Sequence, residues 1–135
     1  MTQTRFELGT ELLKQIDGTI GETVIKSLEG IAPDLGKYII EFAFGDIYSR
    51  KELTLQEREL ITITSLLTSG GCEPQLEVHI NGALNVDIAP EKIIETFIQC
   101  VPYVGFPRVL NAISVAKKIF LERQPAVHIE NASGK

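Results

Sequence analysis

The stretch Thr54-Leu-Gln-Glu57-Arg-Glu59-Leu-Ile-Thr-Ile63-Thr-Ser-Leu66-Leu67-Thr-Ser69-Gly70-Gly71 decides the fold class. Thr54 and Glu57 stand three apart, the spacing at which a Thr side chain and an acid satisfy each other's free backbone donors at a helix start. Leu60, Ile61, Ile63, Thr64, Leu66 and Leu67 follow, so the helix is apolar nearly all round and is expected to be central. Ser69-Gly70-Gly71 ends it and reverses the chain. A second helix then opens at Cys72-Glu73-Pro74, because Pro is tolerated where the first-turn amide has no partner and an acid favours the positive end of the dipole.

Working outward, helical periodicity continues in both directions and no alternating strand pattern interrupts it. On the N-terminal side, Phe6, Leu8, Leu12, Leu13 and Ile16 trace a first helix that stops at Asp17-Gly18. A second spans about Thr19 to Leu28, broken by Gly30 and Pro33. A third runs from Asp34 to near Arg50, and its Phe42 and Phe44 suggest deep burial. On the C-terminal side, Asp87 and Pro90-Glu91 open a sixth helix through Phe97, with Pro102 expected to kink or end it. The seventh extends from Pro107 to about Arg123, with Val109, Leu110, Ile113, Ala116, Ile119 and Phe120 inward and the small Ala116 allowing close approach. The expectation is an all-α orthogonal bundle of seven helices, one domain over 1–123, with a disordered tail over 124–135.

Composition narrows function by exclusion. At 135 residues the chain suits one domain with a real core. A formal charge of −5 and scattered Lys and Arg argue against a nucleic-acid surface. No signal-peptide pattern or bilayer-length apolar run appears, so a cytoplasmic protein without membrane partners is expected. Cys72 and Cys100 are too few and too far apart for a disulfide scaffold and read as reduced thiols. His79 and His128 offer no metal-ligand spacing, and no phosphate loop, nucleophile elbow or dinucleotide fingerprint is present. Neither a metal nor a cofactor is expected.

The chemistry gathers in Cys72-Glu-Pro-Gln75-Leu-Glu-Val-His79, where residues 72, 75 or 76, and 79 share a helical stripe. His79 titrates near neutrality and is the natural proton carrier, a role worth roughly 10²–10⁴-fold in rate. Cys72 falls at or just before a helix N-terminus, a setting that favours thiolate and makes oxidation chemistry available; beside two glycines it equally suits a small buried residue. Cys100, among Phe97, Ile98 and Val101, reads as core. Tyr103 offers a hydroxyl, while Gly105 and Pro107 shape a turn.

Phe44-Gly45-Asp46-Ile47-Tyr48-Ser49-Arg50, Arg58-Glu59-Leu60-Ile61-Thr62-Ile63, Gln75-Leu76-x-x-His79, Glu95 through Gln99 and Tyr103-x-Gly105-x-Pro107 together resemble the carboxymuconolactone decarboxylase family over roughly residues 35–122. That family includes γ-carboxymuconolactone decarboxylases and, more distantly, alkylhydroperoxidase D. The resemblance implies an all-α oligomer, commonly a homohexamer built as a trimer of dimers. It also implies that Arg50 and Arg58 hold a substrate carboxylate, Gln75 and Tyr103 contribute to binding, and Glu59 joins Cys72 and His79 in a proton relay. Gln75 stands where alkylhydroperoxidase D has its second Cys, so no disulfide can close within the motif. The Asn-Asn-Gly turn of the decarboxylases is Asn85-Val-Asp87 here.

Three functions follow as expectations. The first is a cofactor-free lyase acting on a small unsaturated carboxylic acid or lactone, with His79 moving the proton. The second is a thiol peroxidase or disulfide reductase of peroxiredoxin type, using Cys72 with Glu59 and His79 and an external or partner thiol. The third is an oligomeric binding protein without catalysis.

Overall fold

In the computed structural model, residues 2–123 are described, and those in regular structure are all helical. The elements are α1 (Arg5–Ser27), α2 (Pro33–Tyr38) continuing into a π-helical segment (Ile39–Ile47), α3 (Leu55–Ser69), α4 (Glu73–Asn85), α5 (Pro90–Val104) and α6 (Phe106–Glu122). The expected tail, residues 124–135, with His128, lies outside the described residues. Contacts gather into two compact units, divided between Arg58 and Glu59 within α3.

In the first unit, the two helices expected before residue 28 form one element, α1, kinked at Gly18 (φ 58°, ψ −141°), so six α-helices replace the expected seven. Glycine reaches that conformation without a Cβ clash, which lets the chain bend and resume rather than stop. α1 also opens with a capping box: Glu7 N donates to Thr4 Oγ1 at 3.0 Å and Thr4 N to Glu7 Oε1 at 2.9 Å. The expected third helix is present but widens into π geometry, with Tyr48 N donating to Ala43 O at 2.9 Å. α1 packs closely on this segment because two glycines bring the backbones together. A Cβ on Gly9 would collide with the Ile40 carbonyl, and one on Gly45 would lie 2.7 Å from Arg5 O. Arg5 then clamps Asp46 with two bonds of 3.0 and 2.8 Å. Leu13, Ile16, Ile40 and Phe44 form this unit's core, whereas Phe42 is exposed, contrary to expectation.

In the second unit, α4, α5 and α6 pack pairwise. Their core includes Leu76, Ile80, Ala83, Ile93, Phe97, Val109, Ala116 and Ile119. The capping box foreseen for α3 is present in the part of that helix belonging to the first unit: Thr54 N donates to Glu57 Oε1 at 2.8 Å and Glu57 N to Thr54 Oγ1 at 3.1 Å. Gly70 and Gly71, both with positive φ (74° and 71°), terminate α3 as anticipated. Three expectations are corrected. Apolar character all round α3 does not bury it all round, since Glu59, Ile63 and Leu67 are enclosed while Ile61 is exposed. On α6, Leu110 points outward. Pro102 does not end α5, which continues to Val104 and stops at Gly105 (φ 89°). In the last turn, few residues remain to feel the missing amide.

Candidate active site

Glu59 and His79 are 20 residues apart in sequence and meet in space. Glu59 lies in the second turn of α3 on the stripe that continues through Ile63 and Leu67, at i+4 and i+8. This stripe faces the core, so the carboxyl is carried inward and is wholly shielded from water. His79 lies midway along α4 and retains about a fifth of its side-chain exposure. Its Nδ1 stands 3.1 Å from Glu59 Oε1. The other carboxylate oxygen, Oε2, is buried with no hydrogen-bond partner. A buried acid is normally held by several partners because leaving one oxygen unmet costs about 1–3 kcal/mol. Here one oxygen orients an imidazole, and the other is left free to receive a donor.

Cys72 takes the position read from the sequence, as the N-cap of α4. It is half-buried, and its Sγ is directed to the Gly70 carbonyl oxygen at 3.5 Å, an acceptor that calls for S–H rather than a bare sulfur. Cys100 is buried on α5 and donates to Thr96 O at 3.4 Å. Burial pushes its thiol up, with a hydrogen bond to Thr64 opposing. Gln75 is exposed, and the buried Leu76 takes the inward position of the stripe. Tyr103 is exposed at the end of α5.

Arg50 and Arg58 belong to the first unit and are tied to each other: Arg58 Nη2 donates to the Arg50 carbonyl at 2.9 Å, bracing the chain between the π segment and α3. Among the described residues, no group of three or more His, Cys, Asp or Glu is arranged to hold a metal ion, and no helix is long and apolar enough to cross a membrane.

α4 is anchored to α6 near this pair. Lys118 meets both carboxylate oxygens of Glu77 at 3.2 Å, and Arg123 Nη1 donates to Asn81 O and Oδ1 at 3.3 and 3.0 Å. These contacts hold in place the helix that carries His79. The sequence reading did not find them, because partners 41 or 42 residues apart leave no local pattern.

The chain, helical throughout the regular structure of its described residues, matches the family model for the carboxymuconolactone decarboxylase family over residues 33–118 and belongs to that family. It is 29% identical over 121 residues to 4-carboxymuconolactone decarboxylase of Acinetobacter baylyi, covering 87% of this chain and 88% of that one. It is 27% identical over 116 residues to a nitrosuccinic acid decarboxylase of Metarhizium robertsii, covering 84% and 79%. A shorter match, 26% over 77 residues, joins 57% of the chain to Peroxisomal protein 2 of Schizosaccharomyces pombe, of which it spans only 36%.

Proposed function

We propose that this protein decarboxylates a small unsaturated carboxylic acid or lactone without a cofactor, using His79 as proton carrier and Glu59 to orient it. The Glu59–His79 contact carries the reading. A carboxylate on Nδ1 fixes the ring and its tautomer, and Nε2 is the nitrogen that exchanges a proton with substrate in this reading. In the reaction, the bond between carbon and the departing carboxylate breaks, and its electron pair moves into the substrate's conjugated carbonyl. Carbon dioxide leaves, and the carbon takes a proton from His79. The substrate supplies its own electron sink. The two relatives named as decarboxylases support this reading.

Peroxide reduction at Cys72 has weaker support, because the thiol addresses a carbonyl and Gln75 replaces a neighbouring resolving Cys. We further propose a homo-oligomer, of which a hexamer is one form. Ile31, Leu35, Tyr38 and Phe42 are exposed at helical spacing, a stripe whose cover by symmetric association is the usual solution.

The test measures carbon dioxide release from 4-carboxymuconolactone and from nitrosuccinic acid by wild type and His79→Gln. Turnover of either acid by wild type, reduced about 10²–10⁴-fold in a folded His79→Gln protein, supports the proposal. Undiminished turnover in the variant refutes the assignment of His79. Absence of turnover with both acids removes these two as substrates.

A further inference from the structure

The Glu59–His79 contact depends on how α4 is turned about its own axis, and polar contacts on the far side of that helix fix the turn. Successive residues of an α-helix are about 100° apart, so Glu77 and Asn81 share one side of α4 and His79 lies on the other. His79 stands 3.1 Å from Glu59 of α3, while Glu77 and Asn81 reach α6 and its cap. Asn81 is buried, at 8% exposure, and both ends of its side chain are engaged. Its Nδ2 donates to the Glu77 carbonyl at 3.0 Å, one turn back, and its Oδ1 accepts from Arg123 Nη1 at 3.0 Å. The same Arg123 nitrogen donates to the Asn81 backbone carbonyl at 3.3 Å. An apolar side chain packs acceptably at several helix rotations, whereas these bonds are met together at one, which is how a buried amide specifies register. The Lys118–Glu77 pair is different. Its side chains are 57% and 38% exposed, and ion pairs so open to solvent are worth little.

We infer that Asn81, held by Arg123, is a positioning residue that sets the Glu59–His79 contact. This rests on the reading of that pair as the working site and extends it to what holds the imidazole in place. A side chain ends roughly 5–6 Å from the helix axis, so a rotation of about 10° carries its tip by about 1 Å. A shift of that size away from Glu59 takes a contact of 3.1 Å out of hydrogen-bonding range, which closes at about 3.2 Å. Misplacement by about 1 Å is also enough to cost about 10²-fold in rate. Removing Arg123 leaves the buried Oδ1 of Asn81 without that donor, and α4 regains one for it by turning or opening toward water. Neither residue carries the proton. Both act on His79 through the helix.

The test follows the His79 imidazole by NMR pH titration of the 135-residue chain, in which His79→Gln identifies its signal beside that of His128. Glu59 is the charged group that faces His79 from α3; Glu77, Lys118 and Arg123 are engaged on the other side of α4, and Glu91, Lys92 and Glu95 of α5 are exposed. A nearby carboxylate favours the charged imidazole, so Glu59→Gln should lower the titration midpoint and define the full effect. Arg123→Gln and Asn81→Leu should each lower it by about half a pH unit or more. Arg123→Lys, which keeps a charge and a donor, should restore most of the wild-type midpoint, and Lys118→Gln should leave it unchanged. Loss of a cation by itself raises the midpoint, so the sign separates positioning from simple electrostatics. A rise in Arg123→Gln, an unmoved midpoint accompanied only by weaker resistance to urea, or an equal fall in Lys118→Gln overturns the inference. An unmoved midpoint in Glu59→Gln overturns it too, because the contact to be positioned would be absent in solution. Arg123→Gln, at the C-terminal end of α6, carries the test if Asn81→Leu does not fold. The readout does not depend on turnover. These shifts in a protein that releases no carbon dioxide would support the positioning role and leave only the decarboxylase reading to fall.

Discussion

Replacing Glu59 with Leu separates a catalytic acid from a structural one, because the two roles predict opposite changes in stability. The carboxyl is wholly buried, receives one contact of 3.1 Å from His79 and leaves Oε2 unmet. Desolvating a carboxylate costs several kcal/mol, and a single partner repays only part of it. Leu has similar volume and adds apolar surface beside Ile63 and Leu67, and His79 keeps enough exposure to be hydrated once released. Replacing both members of a buried ion pair with packed hydrocarbon commonly stabilises by about 1–4 kcal/mol, and here the member that stays, His79, can turn to water and so is not left as an uncompensated buried charge. We therefore expect Glu59→Leu to gain about 1–3 kcal/mol in urea unfolding, with an unchanged slope, while losing turnover. Glu59→Gln, which keeps the shape and removes the charge, should lose activity with little change in stability. Destabilisation of Glu59→Leu by more than about 1 kcal/mol would refute the reasoning, because the acid would then be part of what holds the fold together.

Gly9→Ala should destabilise the first unit by about 1–3 kcal/mol despite the better helix propensity of Ala, because the new methyl meets the Ile40 carbonyl; Gly30→Ala, with nothing within 4 Å, should be neutral or slightly stabilising. Equal thermal midpoints for these two variants would contradict the close approach of α1 and the π segment. Cys72→Ser should retain most carbon dioxide release, whereas loss of turnover in a folded variant would make the sulfur a reacting atom. The raised Cys100 thiol carries a pH dependence with a definite sign. The folded protein keeps it neutral after the unfolded chain begins to ionise, so its contribution is complete below the unfolded value and is lost as pH rises through the folded one. The urea midpoint of wild type should therefore fall relative to Cys100→Val between about pH 8 and pH 11, and parallel curves would disprove it.

What the chain determined by itself was local. Thr54 and Glu57 capped α3, Gly70 and Gly71 ended it, and Pro74 opened α4 with Cys72 at its cap, each through interactions within a turn or two of sequence. The second capping box, at Thr4 and Glu7, follows the same pattern and was equally legible, though it went unread. His79 and Glu59 were both picked out in the sequence, but the relay proposed for Glu59 came from resemblance to a family and not from any spacing. Tertiary structure alone decided that Glu59 is the buried residue of its charged cluster and that one of its oxygens faces His79. It also tied Arg58 to the Arg50 backbone and left Arg108 against Gly70. The sequence period could not decide between α and π geometry over Ile39–Ile47, because the close packing of α1 on that segment is set by Gly9, thirty or more residues away. Periodicity records which face of a helix is apolar; which of those residues are buried depends on what packs against that face, and Phe42, Ile61 and Leu110 remain exposed for that reason.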